Sequence, residues 1–304
     1  LEPVSNYADE SHMLRLTKDC MRAVEKLKTE LVIDNEGKAL EAIGTRYRDT
    51  DFARLLCEYI KSELGTDLAL LNGSSIKAES DFDSGLVHYS ELMRALPFPT
   101  KMVSIYLPGS IIEASIRYSR QSGDFFDQKK GFLQVDFGVN LENPSVTGKF
   151  SGADLTSYES LLDANKLDRI ASINGERFDP NKKYFVALPR NLLKGFCNIE
   201  PLVEYVLNDK TIEMPEHDSY VPAIQLILRQ CAKNIWNRLG DFESIDKDGD
   251  NLITRAEIKE RVKEILNQEL SGTLLDELVF TLDADRDGRI SKEEFLKMKA
   301  NLNS

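Results

Sequence analysis

Two short stretches near the end of the chain constrain it more than anything before them. One reads Asp246-Lys247-Asp248-Gly249-Asp250-Asn251-Leu252-Ile253-Thr254-Arg255-Ala256-Glu257. The other, starting thirty-seven residues later, reads Asp283-Ala284-Asp285-Arg286-Asp287-Gly288-Arg289-Ile290-Ser291-Lys292-Glu293-Glu294. Carboxylates this close repel one another unless a cation lies among them. A hard divalent cation of calcium's size takes about seven oxygens in a flexible shell. One twelve-residue loop can supply them from side chains at positions 1, 3 and 5, a carbonyl at 7, a water-mediated contact at 9 and a two-oxygen Glu at 12. The first loop offers Asp246, Asp248, Asp250, the Leu252 carbonyl, Thr254 and Glu257. The second offers Asp283, Asp285, Asp287, the Arg289 carbonyl, Ser291 and Glu294. Calcium at two sites is the expected cofactor.

These residues resemble a pair of EF-hands. Position 8 is apolar in both loops, Ile253 and Ile290, as back-to-back pairing in a short ribbon requires. Apolar residues flank the loops at helical spacing: Trp236, Leu239, Phe242, Ile258, Val262 and Ile265 around the first, and Leu275, Leu278, Val279, Leu282, Phe295 and Met298 around the second. Position 6 needs a backbone with φ > 0. Gly288 meets that need, while Asn251 tolerates it less well, so the first site is expected to be the weaker. The apolar helices permit either a groove for a protein target or permanent docking on the rest of the chain.

The net charge is −12, and from residue 240 onward sixteen acidic residues face ten basic ones, so half of the excess acid accompanies the loops. An acidic chain repels phosphate backbones and anionic lipid, which argues against nucleic acid and membrane as partners. No apolar run approaches the ~20 residues of a membrane span. Cys20, Cys57, Cys197 and Cys231 are widely spaced and form no metal motif. They read as buried free thiols of a reducing, cytoplasmic setting, with an extracellular one left open. The opening Leu1-Glu2-Pro3-Val4 looks processed or excised from something longer.

The 304 residues suit two domains. Residues 9–30 carry apolar residues at helical steps, and so do 51–64, 89–95, 111–120 and 222–239. Strands are expected at 68–71, 102–107 and 132–139, with 169–173 and 184–188 forming a hairpin around Asn174-Gly175. Residues 141–166 read as a polar loop. The mixture without regular alternation predicts an α+β class, followed by an all-α pair of calcium loops. The expected division is a linker helix at 1–30, a mixed domain at 31–232 and the EF-hand pair at 233–304.

Six segments, in order, carry a second resemblance: Arg46-Tyr47-Arg48 to Leu56; Ala69-Leu70-Leu71-Asn72-Gly73-Ser74-Ser75-Ile76-Lys77; Leu96-Pro97-Phe98; residues 103–111; Gly131-Phe132-Leu133-Gln134-Val135; and Asn174-Gly175-Glu176 through Tyr184 to Pro189. Together they resemble the C-terminal domain of the 5′-nucleotidase family over roughly residues 10–230. The resemblance implies a domain that binds a nucleoside or nucleotide and presents it to an N-terminal metallophosphoesterase domain, where a two-metal centre hydrolyses it. It implies that Phe98 stacks on the base and that Asn72 approaches the substrate. Lys77 and one of Arg46 or Arg48 would meet phosphate or ribose. Phe196 is the candidate for a second stacking aromatic, although counting from Leu188-Pro189 puts Ile199 there. The family's Gly-Gly turn is Ser74-Ser75 here, and its Arg is Lys77.

Two-metal hydrolysis needs a cluster of His, Asp and Asn ligands. His12, His88 and His217 are scattered and read as solvated side chains, so the chain alone is not expected to be catalytic. Two readings follow: the recognition part of a nucleotidase-like hydrolase with calcium loops attached, or a calcium-responsive scaffold with an eroded nucleotidase fold.

Overall fold

The computed structural model describes residues 15–17, 21, 28, 30–120, 131–142, 168–208, 219–267, 270 and 272–302. The strands are β1 (Leu31–Asp34), β2 (Leu68–Asn72), β3 (Leu86–His88), β4 (Lys101–Pro108), β5 (Leu133–Val135), β6 (Val139–Glu142), β7 (Arg169–Ile173), β8 (Glu176–Arg177), β9 (Lys183–Pro189), β10 (Val221–Pro222), β11 (Leu252–Ile253) and β12 (Ile290–Ser291). The helices are α1 (Asp51–Leu64), α2 (Tyr89–Ala95), α3 (Gly109–Arg120), α4 (Glu200–Asn208), α5 (Ala223–Leu239), α6 (Phe242–Ile245), α7 (Arg255–Leu266), α8 (Gly272–Leu282) and α9 (Lys292–Leu302). Mixed strands and helices are followed by helices and loops, the expected α+β class with an EF-hand pair behind it. No described helix is long and apolar enough to cross a membrane.

The chain groups into two compact units, one of Asn35–Gly85 and Met93–Cys231, the other of Leu1–Asp34, Leu86–Leu92 and Ala232–Ser304. The first is built on a five-stranded sheet of order β10-β4-β9-β2-β5. β9 is its spine, running antiparallel to β4 and parallel to β2. Such a central position demands side chains that are buried on both faces, and Val186, Ala187 and Leu188 supply them. α1 begins where the Thr50 hydroxyl accepts from the Ala53 N–H and ends where Gly65 turns left-handed. Phe52, Leu56 and Ile60 on its inner face are fully buried. α3 contributes Ile112 and Ile116 to the core beneath Val103, Ile105 and Leu107 of β4.

The structure departs from the sequence reading at three places. The continuous strand expected at 132–139 is broken into β5 and β6 at Asp136. Its buried carboxylate accepts from the N–H groups of Ala69 and Gly138 and pairs with Lys61 Nζ at 3.0 Å, so the backbone turns there. The expected partner of β7 is also different. Across Asn174-Gly175, β7 pairs with the two-residue β8, while β9 joins the main sheet. Residues 189–221, unassigned from sequence, include two 3₁₀ turns and α4. The helix expected at 9–30 and the loop at 141–166 fall largely outside the described residues.

In the second unit β1 pairs antiparallel with β3, and Arg238 reaches Asp34 at 2.8 Å. Its apolar centre is aromatic. The rings of Trp236 and Phe242 both meet Phe295 edge-on, at 5.9 and 5.7 Å, and the Trp236 indole N–H donates to the Leu278 carbonyl at 2.9 Å. All the apolar residues expected to flank the loops are buried except Ile265, which is 45% exposed.

Candidate functional site

The two acidic loops have the same internal geometry. Ile253 pairs with Ile290 in the ribbon β11–β12, as expected from position 8. Each twelfth-position Glu is held by matching donors. Glu257 accepts from Lys247 N on one oxygen and from the Thr254 N–H and hydroxyl on the other. Glu294 accepts from Ala284 N and from the Ser291 N–H and hydroxyl in the same way. Partial burial pushes both carboxyls up, but these donors outweigh it and hold them below the usual range, hence ionised. The other carboxylates point inward because loop N–H groups hold them: Gly249 and Asn251 on Asp246, Asp250 on Asp248, Leu252 on Asp250. In the second loop Asp287 and Gly288 donate to Asp283, Asp287 also to Asp285, and Arg289 to Asp287.

These residues fit calcium. In each triad, Asp246–Asp248–Asp250 and Asp283–Asp285–Asp287, one oxygen per residue lies within 4.8 Å of the others. Oxygens at ~2.3–2.6 Å from a shared ion sit at most ~5 Å apart. They are the two groups of His, Cys, Asp and Glu among the described residues that are close enough to share an ion.

Position 4 of each loop shares the left-handed backbone of position 6. Asn251 and Gly288 at position 6 have φ of 66° and 84°, but position 4 is left-handed too, with Gly249 at 73° and Arg286 at 64°. Each loop therefore places one glycine and one other residue in this region. The glycine at 249 was the available signal.

The candidate nucleotide residues lie in the larger unit. Phe98 and Phe196 are about half exposed, at 51% and 49%. Lys77 Nζ lies 5.9 Å from the centre of the Phe98 ring. Burial lowers the Lys77 pKa, and the charge of Arg46 lowers it further. Cys197, next to Phe196, has its Sγ 4.0 Å from Ser74 Oγ. Half-burial pushes its thiol up, opposed by Ser74 and by the Arg46 charge. Lys77 thus stands beside Phe98 and Ser74 beside Cys197, and the Arg46 charge is felt at both Lys77 and Cys197. Arg48 is turned elsewhere: its guanidinium donates to the Ile43 carbonyl and pairs with Glu41. Asn72 is buried, with its amide donating to Ser74 Oγ and accepting from Ser75 Oγ. Ile199, the alternative to Phe196, is fully buried. His88 bonds Glu91 at 2.9 Å, and His12 and His217 lie outside the described residues.

Fold and loops together define a class: a mixed α+β domain of nucleotidase type joined to a calcium-binding EF-hand pair. Residues 26–204 match the family described as 5′-nucleotidase, C-terminal domain, and residues 241–298 match the EF-hand domain pair. The chain belongs to the 5′-nucleotidase C-terminal domain family. It is 23% identical over 176 residues to protein UshA of Yersinia enterocolitica, covering 57% of this chain and 30% of that protein. It is 40% identical over 104 residues to mouse calcium-binding protein 4, covering 34% of this chain and 33% of the relative. The chain thus spans about a third of each of these curated relatives. Among solved structures, the NAD nucleotidase of Haemophilus influenzae aligns at 16% identity and TM-score 0.47, over 71% of this chain and 38% of that one.

Proposed function

We propose that the chain is the substrate-recognition part of a 5′-nucleotidase-like metallophosphohydrolase, with a calcium-loaded EF-hand pair fused behind it. The observation that carries this is Lys77 Nζ 5.9 Å from the centre of the half-exposed Phe98 ring, with the charge of Arg46 acting on the lysine. A half-exposed ring offers a stacking surface for a base, and two neighbouring cations suit a phosphate. The metals of a metallophosphoesterase domain N-terminal to this chain would supply the hydrolytic chemistry. This chain's own residues bind and orient the nucleotide.

The test is calorimetric titration of the chain with adenosine and AMP, in calcium and in chelator. AMP should bind more tightly than adenosine, and Phe98→Ala should weaken both. Absence of binding by a folded, calcium-loaded chain overturns the reading. It would favour the second reading, a calcium-responsive scaffold with an eroded pocket. One observation speaks for that alternative: the serines replacing the family's glycine turn occupy the Asn72 amide.

A further inference from the structure

β5 is a three-residue strand with both neighbours of its central residue apolar and buried, yet that central residue is Gln134, itself fully buried. A primary amide in such a place is tolerated only when its polar atoms are bonded. Its side-chain amide bonds to one segment. Nε2 donates to the carbonyls of Thr45 at 2.7 Å and Arg48 at 2.6 Å, and Oε1 accepts from Thr50 N at 3.2 Å. These three backbone groups bracket Arg46.

The same segment is seated on the Asn72–Ser75 turn. The Thr45 hydroxyl donates to the Gly73 carbonyl at 2.9 Å. A Cβ on Gly73 would come 1.8 Å from the Thr45 carbonyl oxygen, so only glycine lets the two backbones meet. Within the segment, Asp49 also receives both terminal nitrogens of Arg120, at 2.7 and 2.9 Å. Gln134 therefore ties the segment on both sides of Arg46, and the Thr45–Gly73 contact adds a second tie on its N-terminal side.

We propose that Gln134 is a positioning residue for nucleotide recognition: it fixes the 45–50 segment so that Arg46 meets the phosphate, while touching no ligand itself. This rests on the nucleotide reading above. It predicts a selective effect. Loosening the segment should cost the phosphate contact and spare stacking of the base on Phe98.

The experiment compares AMP with adenosine by calorimetry on the full chain in calcium, for wild type, Gln134→Met and Gln134→Glu. Both variants should bind AMP about tenfold more weakly, the scale of one lost charge-assisted contact, with adenosine changed less than about twofold. In an Arg46→Ala background Gln134→Met should add nothing further. A purely structural role would lower thermal stability and leave the AMP-to-adenosine ratio unchanged, and that result overturns the inference. So does a wild type that binds adenosine but shows no preference for AMP. A wild type that binds neither ligand overturns the nucleotide reading together with this one. If neither Gln134 variant folds, Thr45→Val, which removes the single bond to Gly73, must reproduce the AMP-selective loss; an unchanged ratio there also overturns it.

Discussion

Gly249 and Arg286 occupy the same fourth position of the two calcium loops and share one left-handed backbone, φ 73° and 64°. At position 6 the assignment is reversed, with Asn251 at 66° and Gly288 at 84°. Asn is among the residues that enter this region at least cost, whereas a long side chain such as Arg pays more of the ~1–2 kcal/mol Cβ penalty.

Arg286→Gly should therefore tighten the second site. Glycine's extra freedom in the unfolded chain offsets part of the relief, leaving up to about 1 kcal/mol, or roughly fivefold in calcium affinity. Asn251→Gly should change the first site by less. Calcium titrations with the other site disabled at its twelfth position check both. Equal or weaker binding by Arg286→Gly would show that position 4 carries no strain.

Trp236 is the single tryptophan of the chain, and it is fully buried in the same unit as both loops. Its fluorescence should report calcium directly. Chelation should shift or quench the emission as the Phe295 and Leu278 contacts loosen. The double variant Glu257→Gln, Glu294→Gln should show the chelated spectrum with or without calcium. Its melting temperature should lose the calcium-dependent rise that mass action produces for the wild type. An unchanged calcium response in that variant would remove the two glutamates from the ligand set.

Lys61 bonds the fully buried Asp136 at 3.0 Å and Glu58 at 2.8 Å. Lys61→Met leaves the Asp136 carboxylate without its cation, at a cost of roughly 2–3 kcal/mol, below the range for fully buried pairs because the lysine is not wholly enclosed. Desolvation lowers the lysine's pKa, but Glu58 and Asp136 outweigh it and the net shift is upward. A raised folded pKa means that the contribution is complete below the unfolded value near ~10.4 and disappears as pH rises through the folded value. Urea unfolding should show a constant difference between wild type and variant from about pH 6 to 9, shrinking above about pH 10. A difference that shrank towards acid instead would assign the effect to another group.

Cys57 and Cys231 are buried thiols whose pKa values burial pushes well up, so they should resist alkylation until the chain unfolds. Cys197 is half-buried, and its smaller upward shift predicts slow labelling at neutral pH that accelerates with alkalinity. Peptide mapping after iodoacetamide treatment separates the three. On the nucleotide reading, AMP should slow labelling of Cys197, which lies beside Ser74. Fast labelling of Cys57 or Cys231 in the folded chain would contradict the packing of α1 and α5.

The calcium loops were legible because each ligand set is contiguous. Twelve residues hold all the carboxylates, and position 8 announces the Ile253–Ile290 pair. The mixed domain was legible as a class and in most of its strands, since apolar runs such as 68–71 and 102–107 state their own burial. The break at Asp136 was not, because it depends on Ala69 and Lys61, more than sixty residues away in the chain. The partner of β7 was missed for a similar reason. Asn174-Gly175 signals a turn, but its far strand can be as short as two residues when the next apolar run finds a place in another sheet.

What is encoded locally could be read directly from the chain: the two oxygen-rich loops, the capped helices, and the order of segments that marks the nucleotidase domain. Tertiary structure alone decided which of two neighbouring arginines stands near Lys77, since Glu41 and the Ile43 carbonyl hold Arg48. It also decided that Gln134, one polar residue in a buried strand, would grip the segment that carries the other. A side chain's type is written in the chain, but its hydrogen-bond partners come from distant segments and exist only after the sheet has closed around them.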